Sequence, residues 1–213
     1  MVSAVLDKVQ QSRMTGENRR QQIVAVAAEL FASKGFSGTT TKEIAEGAGV
    51  SEAIIFRHFA SKDELYAAIL DFKVKQGTER MKAQLEEAAS RKDDRAFFGS
   101  LALEMLDFHS KDRTFMRLLL FSALEGHELS NIFFDSTARD IKNHIRKYIK
   151  QRSTDGAFRT IDPAVAARAF VGMVLHQVQA RIIFGDGDVR QSNRQIADRF
   201  VEIFLNGVRD SKA

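Results

Sequence analysis

A chain of 213 residues that contains a single proline has almost nothing inside it to break a helix. Proline clashes with the preceding turn and lacks the N–H that a helix needs, whereas the abundant Ala, Leu, Ile, Glu, Lys, Arg and Gln fill helix interiors well. The one proline stands in Asp162-Pro163. Aspartate suits an N-cap there, and proline suits the first helical position, whose N–H has no intrahelical partner anyway. It opens a helix rather than closing one, and the expected fold class is all-α. The length allows one or two domains and buries enough surface to fold without staples.

The spacing of apolar residues predicts about nine helices. Residues 1–17 are polar and read as a flexible N-terminal arm. Ile23, Ala27, Leu30 and Phe31 share one helical face, closed by Lys34-Gly35. Thr40 and Glu43 form a capping-box pattern before a short helix, which Gly47 and Gly49 end. Ser51 is placed to cap a second short helix through about His58. Ser61 and Glu64 repeat the box pattern and open a longer helix with Leu65, Ile69 and Phe72 on one face. Further helices are marked by Phe97, Leu101, Met105 and Phe108, by Phe115, Leu118 and Leu119, and by a region from Leu129, Ile132 and Phe133 through Ile141, Ile145, Tyr148 and Ile149. Residues 152–160 read as a polar loop around Gly156. The last two helices run from Pro163 to about Phe184 and from about Ser192 to Asn206.

One constellation carries function. Ala45, Gly49 and Ile55 have the spacing of a helix-turn-helix: a small residue where helices cross, a glycine for the left-handed turn, and a branched apolar residue locking the second helix. Capping signals flank it on both sides. The segment 19–70, with ELFASKGF, TTTKEIAEGAGVS and FRHFASKDEL as its most specific pieces, resembles the DNA-binding domain of the TetR (tetracycline-repressor-like) family of bacterial regulators.

The resemblance implies a helix-turn-helix domain over 18–64 and a helical ligand-binding and dimerisation domain over 65–213. It implies a homodimeric transcriptional regulator, a repressor released from a palindromic operator by a small molecule, whose two half-sites lie about one DNA turn, roughly 34–36 Å, apart or at multiples of that. Glu52, Ala53 and Ile54 then meet base edges, where Glu accepts from cytosine and Ala or Ile touches a thymine methyl. Thr40, Thr41, Lys42 and Ser51 sit at helix N-termini suited to phosphate. His58 and Lys62 hold the backbone beyond the recognition helix, and Arg57 serves phosphate or guanine. Arg13, Arg19 and Arg20 reach an adjacent groove or phosphate. Phe56 stands where the family usually has a tyrosine, so it has no hydroxyl for a phosphate and is left to a thymine methyl or to packing.

Charge alone argues weakly for nucleic acid. The net charge is +4, yet 8 Lys and Arg in the first 70 residues meet 8 Asp and Glu. Placement must carry the reading, and a head that has lost its operator is the rival: a ligand-binding or protein-interaction dimer. Lys142, Arg146 and Lys150 form a basic stripe that reads as a solvated face. With 0 cysteines there is no disulfide, thiolate-metal or cysteine-nucleophile chemistry. The histidines lack zinc spacing, Gly185-Asp186-Gly187-Asp188 reads as a turn, and no catalytic or cofactor motif is present. No metal, cofactor, enzymatic activity or membrane partner is expected. No apolar run reaches the about 18 residues of a membrane span, and the start is no signal peptide, so the cytoplasm is the expected compartment.

The chain has 17 Phe, 2 Tyr and no Trp, an apolar volume that hints at an apolar effector. Ligand candidates are Met105, Phe108, His109, Phe121, His176 and Gln177. The last two helices are apolar on more than one face, which calls for a cover, and a second subunit is the natural one. Dimer candidates are Phe170, Val174, Phe200, Val201, Phe204 and Leu205.

Overall fold

The computed structural model describes residues 15–126, 137–185 and 191–209, without the side chains of residues 70, 71, 73–80 and 137. Arg13 and the rest of residues 1–14, together with His127, Leu129, Ile132, Phe133, Phe134, Asp186, Gly187 and Asp188, lie outside the described residues. The fold is all-α. Among the described residues there are nine helices and, as the only extended pairing, a single bridge between Phe158 and Arg209. The chain divides into two compact units at Leu70/Asp71.

The first unit holds α1 (Gly16–Lys34), α2 (Thr41–Ala48), α3 (Glu52–His58) and the opening turns of α4 (Lys62–Ser90). Thr15 caps α1 by accepting from the Asn18 N–H at 3.2 Å, so the helix begins inside the segment read as an arm. Ile23, Ala27 and Phe31 are fully buried as the spacing predicts, while Leu30 turns half outward. Phe31 and Phe36 stack at 5.6 Å, and Tyr66 meets both edge-on at 5.0 and 5.4 Å. Leu65, Tyr66 and Ile69 are all at 0% exposure, so this unit continues past residue 64 to take in the start of α4. Phe72 does not join their buried face; it is 45% exposed.

The second unit holds the rest of α4 with α5 (Asp94–Lys111), α6 (Thr114–Leu124), α7 (Thr137–Thr154), α8 (Pro163–Ile182) and α9 (Asn193–Val208). Asp162 accepts from the Ala164 and Val165 N–H groups, the cap that the lone proline implied. Ser192 and Gln195 form a capping box at the head of α9. The core is aromatic: Phe98 lies 4.8 Å from both Phe170 and Phe204, and Phe97 stacks on Tyr148 at 3.9 Å. Each ring so buried contributes about 1.5–3 kcal/mol by leaving water. Asp94 ties α7 to the start of α5, accepting from Tyr148 Oη at 2.7 Å and from Arg152 Nε at 2.7 Å.

Candidate functional site

The turn between α2 and α3 is built from local chemistry. Thr40 and Glu43 complete a reciprocal capping box. Lys34 Nζ lies 2.6 Å from Glu43 Oε1, and this cation with the Thr40 donors holds the Glu43 carboxyl down to about 2. Gly49 has φ 61° and ψ 38°, the left-handed conformation that closes α2, and its N–H donates to Ala45 and Glu46. Val50 N–H donates to Ala45 O at 3.0 Å. Ala45 and Ile55 are buried, as a helix-turn-helix needs. The tightest approach is at Gly47, where a Cβ would stand 2.8 Å from Val26 Cγ1 of α1. The sequence assigned closeness to Ala45; the first glycine of GAG was the signal for this one.

Helix α3 turns Ile55 inward and leaves Glu52, Ala53, Phe56 and Arg57 exposed, with Ile54 and His58 half-buried. Four of the residues expected at DNA therefore share one open face. Thr40, Lys42 and Ser51 are exposed and Thr41 half-buried. Two details revise their chemistry. Ser51 makes no side-chain cap bond, so its hydroxyl is not used by the helix it precedes. Glu52 accepts the Thr41 hydroxyl at 2.6 Å, a bond that ties the start of α3 to the start of α2. The base-reading role expected of Glu52 did not include this bond.

Beyond α3, Lys62 Nζ stands 4.1 Å over the Phe36 ring and 5.9 Å from the Phe31 ring. A cation held over aromatic faces is positioned rather than freely swinging. His58 is half-buried and its Nε2 is enclosed without a partner, leaving Nδ1 as the nitrogen able to meet a phosphate. Arg20 lies 4.7 Å over Phe59, and Arg19 donates to Gln22 Oε1 at 2.7 Å. Ser61 accepts from the Glu64 N–H, while the Glu64 carboxylate accepts from Ala60 rather than from Ser61, a shifted form of the predicted box.

Comparison with known proteins agrees with this geometry. Residues 23–69 match the family model for bacterial regulatory proteins of the tetR family, and residues 100–207 match that for the C-terminal domain of AefR-like transcriptional repressors. The chain belongs to the TetR family. It is a DNA-binding transcriptional regulator of the helix-turn-helix type. The uncharacterized HTH-type transcriptional regulator YvkB of Bacillus subtilis is 28% identical over 191 residues, covering 88% of this chain and 96% of YvkB. The crystal structure of AibR in complex with isovaleryl coenzyme A and operator DNA is 23% identical, with a TM-score of 0.69 over 87% of this chain and 97% of AibR. FadR of Bacillus subtilis in complex with stearoyl-CoA is 18% identical, with a TM-score of 0.70 over 89% and 99%.

Of this TetR-family chain's ligand candidates, His109 lines a cavity. That cavity, of about 200 Å³, lies between α5 and α8 and includes Arg113 and Arg181, which the sequence reading missed. Arg181 is the one Lys or Arg between Arg168 and Arg190, which was the available signal. Phe108 meets His109 edge-on at 5.1 Å. Met105 packs on the core, and Phe121 lies under Arg117 at 5.9 Å. Gln177 is half-buried and His176 is exposed, so neither joins the cavity. The Lys142, Arg146 and Lys150 stripe is exposed, as read. Arg146 and Lys150 border an open groove of about 840 Å³ beside Asp162 and Pro163.

The dimer candidates need correction. Phe170, Val174, Val201, Phe204 and Leu205 are all buried within one chain, and Phe200 packs half-buried against the same core. The five buried residues have almost no surface to offer a partner, and Phe200 keeps part of its own. The open face of α8 carries Val165, Ala169, Gly172 and His176 at i, i+4, i+7 and i+11, and Ile203 of α9 is 61% exposed.

Proposed function

We propose that the protein is a homodimeric repressor that reads a palindromic operator and leaves it when a small-molecule effector binds the second unit. The observation that carries this reading is the open face of α3, with Glu52, Ala53, Phe56 and Arg57 exposed above the buried anchor Ile55. The second helix of such a motif enters the major groove, and its exposed side chains read base edges. Thr40, Lys42, Ser51 and Lys62 supply hydroxyls and cations for phosphates on either side, and His58 adds Nδ1. Thr41 and Glu52 hold the two helices at one angle through their 2.6 Å bond.

Support for the assembly comes from α8. Val165, Ala169, Gly172 and His176 form an exposed stripe bordered by Arg168, and the small Ala169 and Gly172 at its middle let two helices approach closely. A dimer carries two recognition helices, which is what a palindrome requires. Support for an effector comes from His109 and its cavity, and from AibR and FadR, whose structures hold acyl-CoA ligands. Release follows as a population shift: the effector favours the geometry in which the recognition helices do not match the half-site spacing, by no more than its difference in affinity for the two states.

Selection from a random-sequence DNA library with the full-length protein, at two salt concentrations, tests the reading. The expected product is a palindrome with matching halves, bound more weakly at the higher salt. Recovery of only unspecific, salt-sensitive binding would instead indicate a head without an operator.

A further inference from the structure

The cavity between α5 and α8 is lined by two arginines that, among the described residues, form no ion pair with a carboxylate. Its floor is apolar, from Leu106, Val178 and Ile182. The same lining includes Ser110 and two arginines, the exposed Arg113 and the half-buried Arg181. Arg181 is oriented by neutral groups: Nη1 donates to Asn193 Oδ1 at 2.6 Å and Nη2 to Gln191 O at 3.4 Å. Asn193 Nδ2 donates onward to Asp107 Oδ1 at 2.7 Å, so this carboxylate fixes the amide and not the guanidinium. Asp112, the carboxylate next to Arg113, accepts from the Thr114 N–H at 2.9 Å. Among the described residues neither arginine is paired with a carboxylate.

A further polar group is His109, 7% exposed, with its ring against Phe108 and stacked over Phe115 at 6.0 Å. Burial pushes its pKa down to about 4, so the ring is neutral near pH 7. Its Nδ1 is enclosed and has no partner. An enclosed N–H without an acceptor costs more than an enclosed lone pair, so the proton belongs on Nε2 and the ring offers a neutral N–H donor. Two cations and a neutral donor around an apolar floor match an anion with a hydrocarbon tail. Guanidinium groups pair with carboxylate oxygens in short, charge-assisted bonds. At about 200 Å³ the cavity is smaller than the roughly 300–1,000 Å³ of drug-sized sites.

We propose that this cavity takes a short aliphatic carboxylate, its oxygens facing Arg113, Arg181 and His109 and its tail lying on Leu106, Val178 and Ile182. The size admits an acid of about five to eight carbons, and not a whole coenzyme A. The proposal rests on the reading of the protein as an effector-released regulator and names the chemistry of the effector.

Calorimetric titration of the full-length protein with hexanoate, hexan-1-ol, hexylamine and hexanoyl-coenzyme A tests it. Hexanoate is expected to bind at least about tenfold more tightly than the other three. Arg113→Gln, at an exposed position, is expected to weaken hexanoate about tenfold with an unchanged melting temperature in the absence of ligand. Arg181→Gln is expected to do the same and serves as the second variant. Absence of hexanoate binding, equal binding of the alcohol, tighter binding of the thioester, or an Arg113→Gln protein that binds as well as the parent would each overturn the carboxylate site. Adding hexanoate to the complex with the selected palindrome separates this from the functional reading. Binding in the cavity without loss of DNA affinity keeps the site and removes the release mechanism. Loss of DNA with another effector, and no hexanoate binding, removes the site and keeps the mechanism.

Discussion

Burial of the His109 ring against Phe108 and Phe115 makes its protonation part of the folding equilibrium. Desolvation holds its pKa near 4 in the fold, against 6.5 for an unperturbed imidazole, with the Asp112 charge opposing that shift in part. As pH falls through 6.5 the unfolded chain takes up a proton that the folded ring refuses, so stability drops until the pH passes below about 4, where both states are protonated. The loss over that window is on the order of 3 kcal/mol. His109→Leu is expected to flatten this part of the profile, and urea midpoints of parent and variant at pH 7 and pH 4.5 check it; parallel slopes would show the ring to be solvated. The sequence reading picked His109 as a polar group in an apolar stretch. It could not supply the ring's environment, because Phe115 comes from the next helix and Arg181 from a helix 70 residues on. At the DNA face the same distinction holds. Glu52 is legible as the first residue of a recognition helix, but its bond to Thr41 crosses the turn and appears only once α2 and α3 are packed.

Helix ends were the most legible elements. The box at Thr40/Glu43 and the Asp162-Pro163 start are set by chemistry within four residues and need no tertiary help, and the Ser192/Gln195 box, which was not read from the sequence, is equally local. Gly49 belongs to the same class. At φ 61° a side chain there strains the backbone, yet an added Cβ meets nothing within 4 Å. The cost of Gly49→Ala is therefore purely conformational, about 1 kcal/mol or somewhat more, and Gly49→Asn recovers part of it because asparagine tolerates the left-handed region. Chemical denaturation of the three proteins measures both numbers; equal stability of the alanine and glycine forms would mean the turn relaxes. Gly47 is the contrasting case, since its constraint is Val26 across the interface with α1 rather than its own dihedral angles. Element boundaries failed where a helix passes through both units. Spacing identified Leu65 and Ile69 as one face of α4, but it could not show that Tyr66 closes the first unit's core or that Phe72 is left 45% exposed.

For the whole molecule, the surplus of apolar residues in α8 and α9 was a correct signal with an incorrect destination. Those helices are apolar on several faces because each packs against other helices of the same unit, with Phe170 and Phe204 5.0 Å apart in its core. A dimer, as proposed, uses what remains: the stripe from Val165 to His176. A Cβ added at Gly172 meets nothing within 4 Å, so Gly172→Arg leaves the chain's own packing intact while blocking a close helix approach. The expected outcome is a shift from dimer to monomer in analytical ultracentrifugation, with circular dichroism unchanged and palindrome affinity reduced. A variant that stays dimeric would move the interface elsewhere. The sequence by itself determined the helical class, the caps, the turn glycine and the helix-turn-helix pattern, because each depends on residues within a few positions of one another and on the fixed period of a helix. Only the tertiary structure decided which apolar faces are core, which cations gather over the small cavity, and why His109 is neutral. Those properties come from side chains that different helices bring together, as with Phe170 against Phe204 and His109 beside Arg181, and no local period encodes which faces will meet.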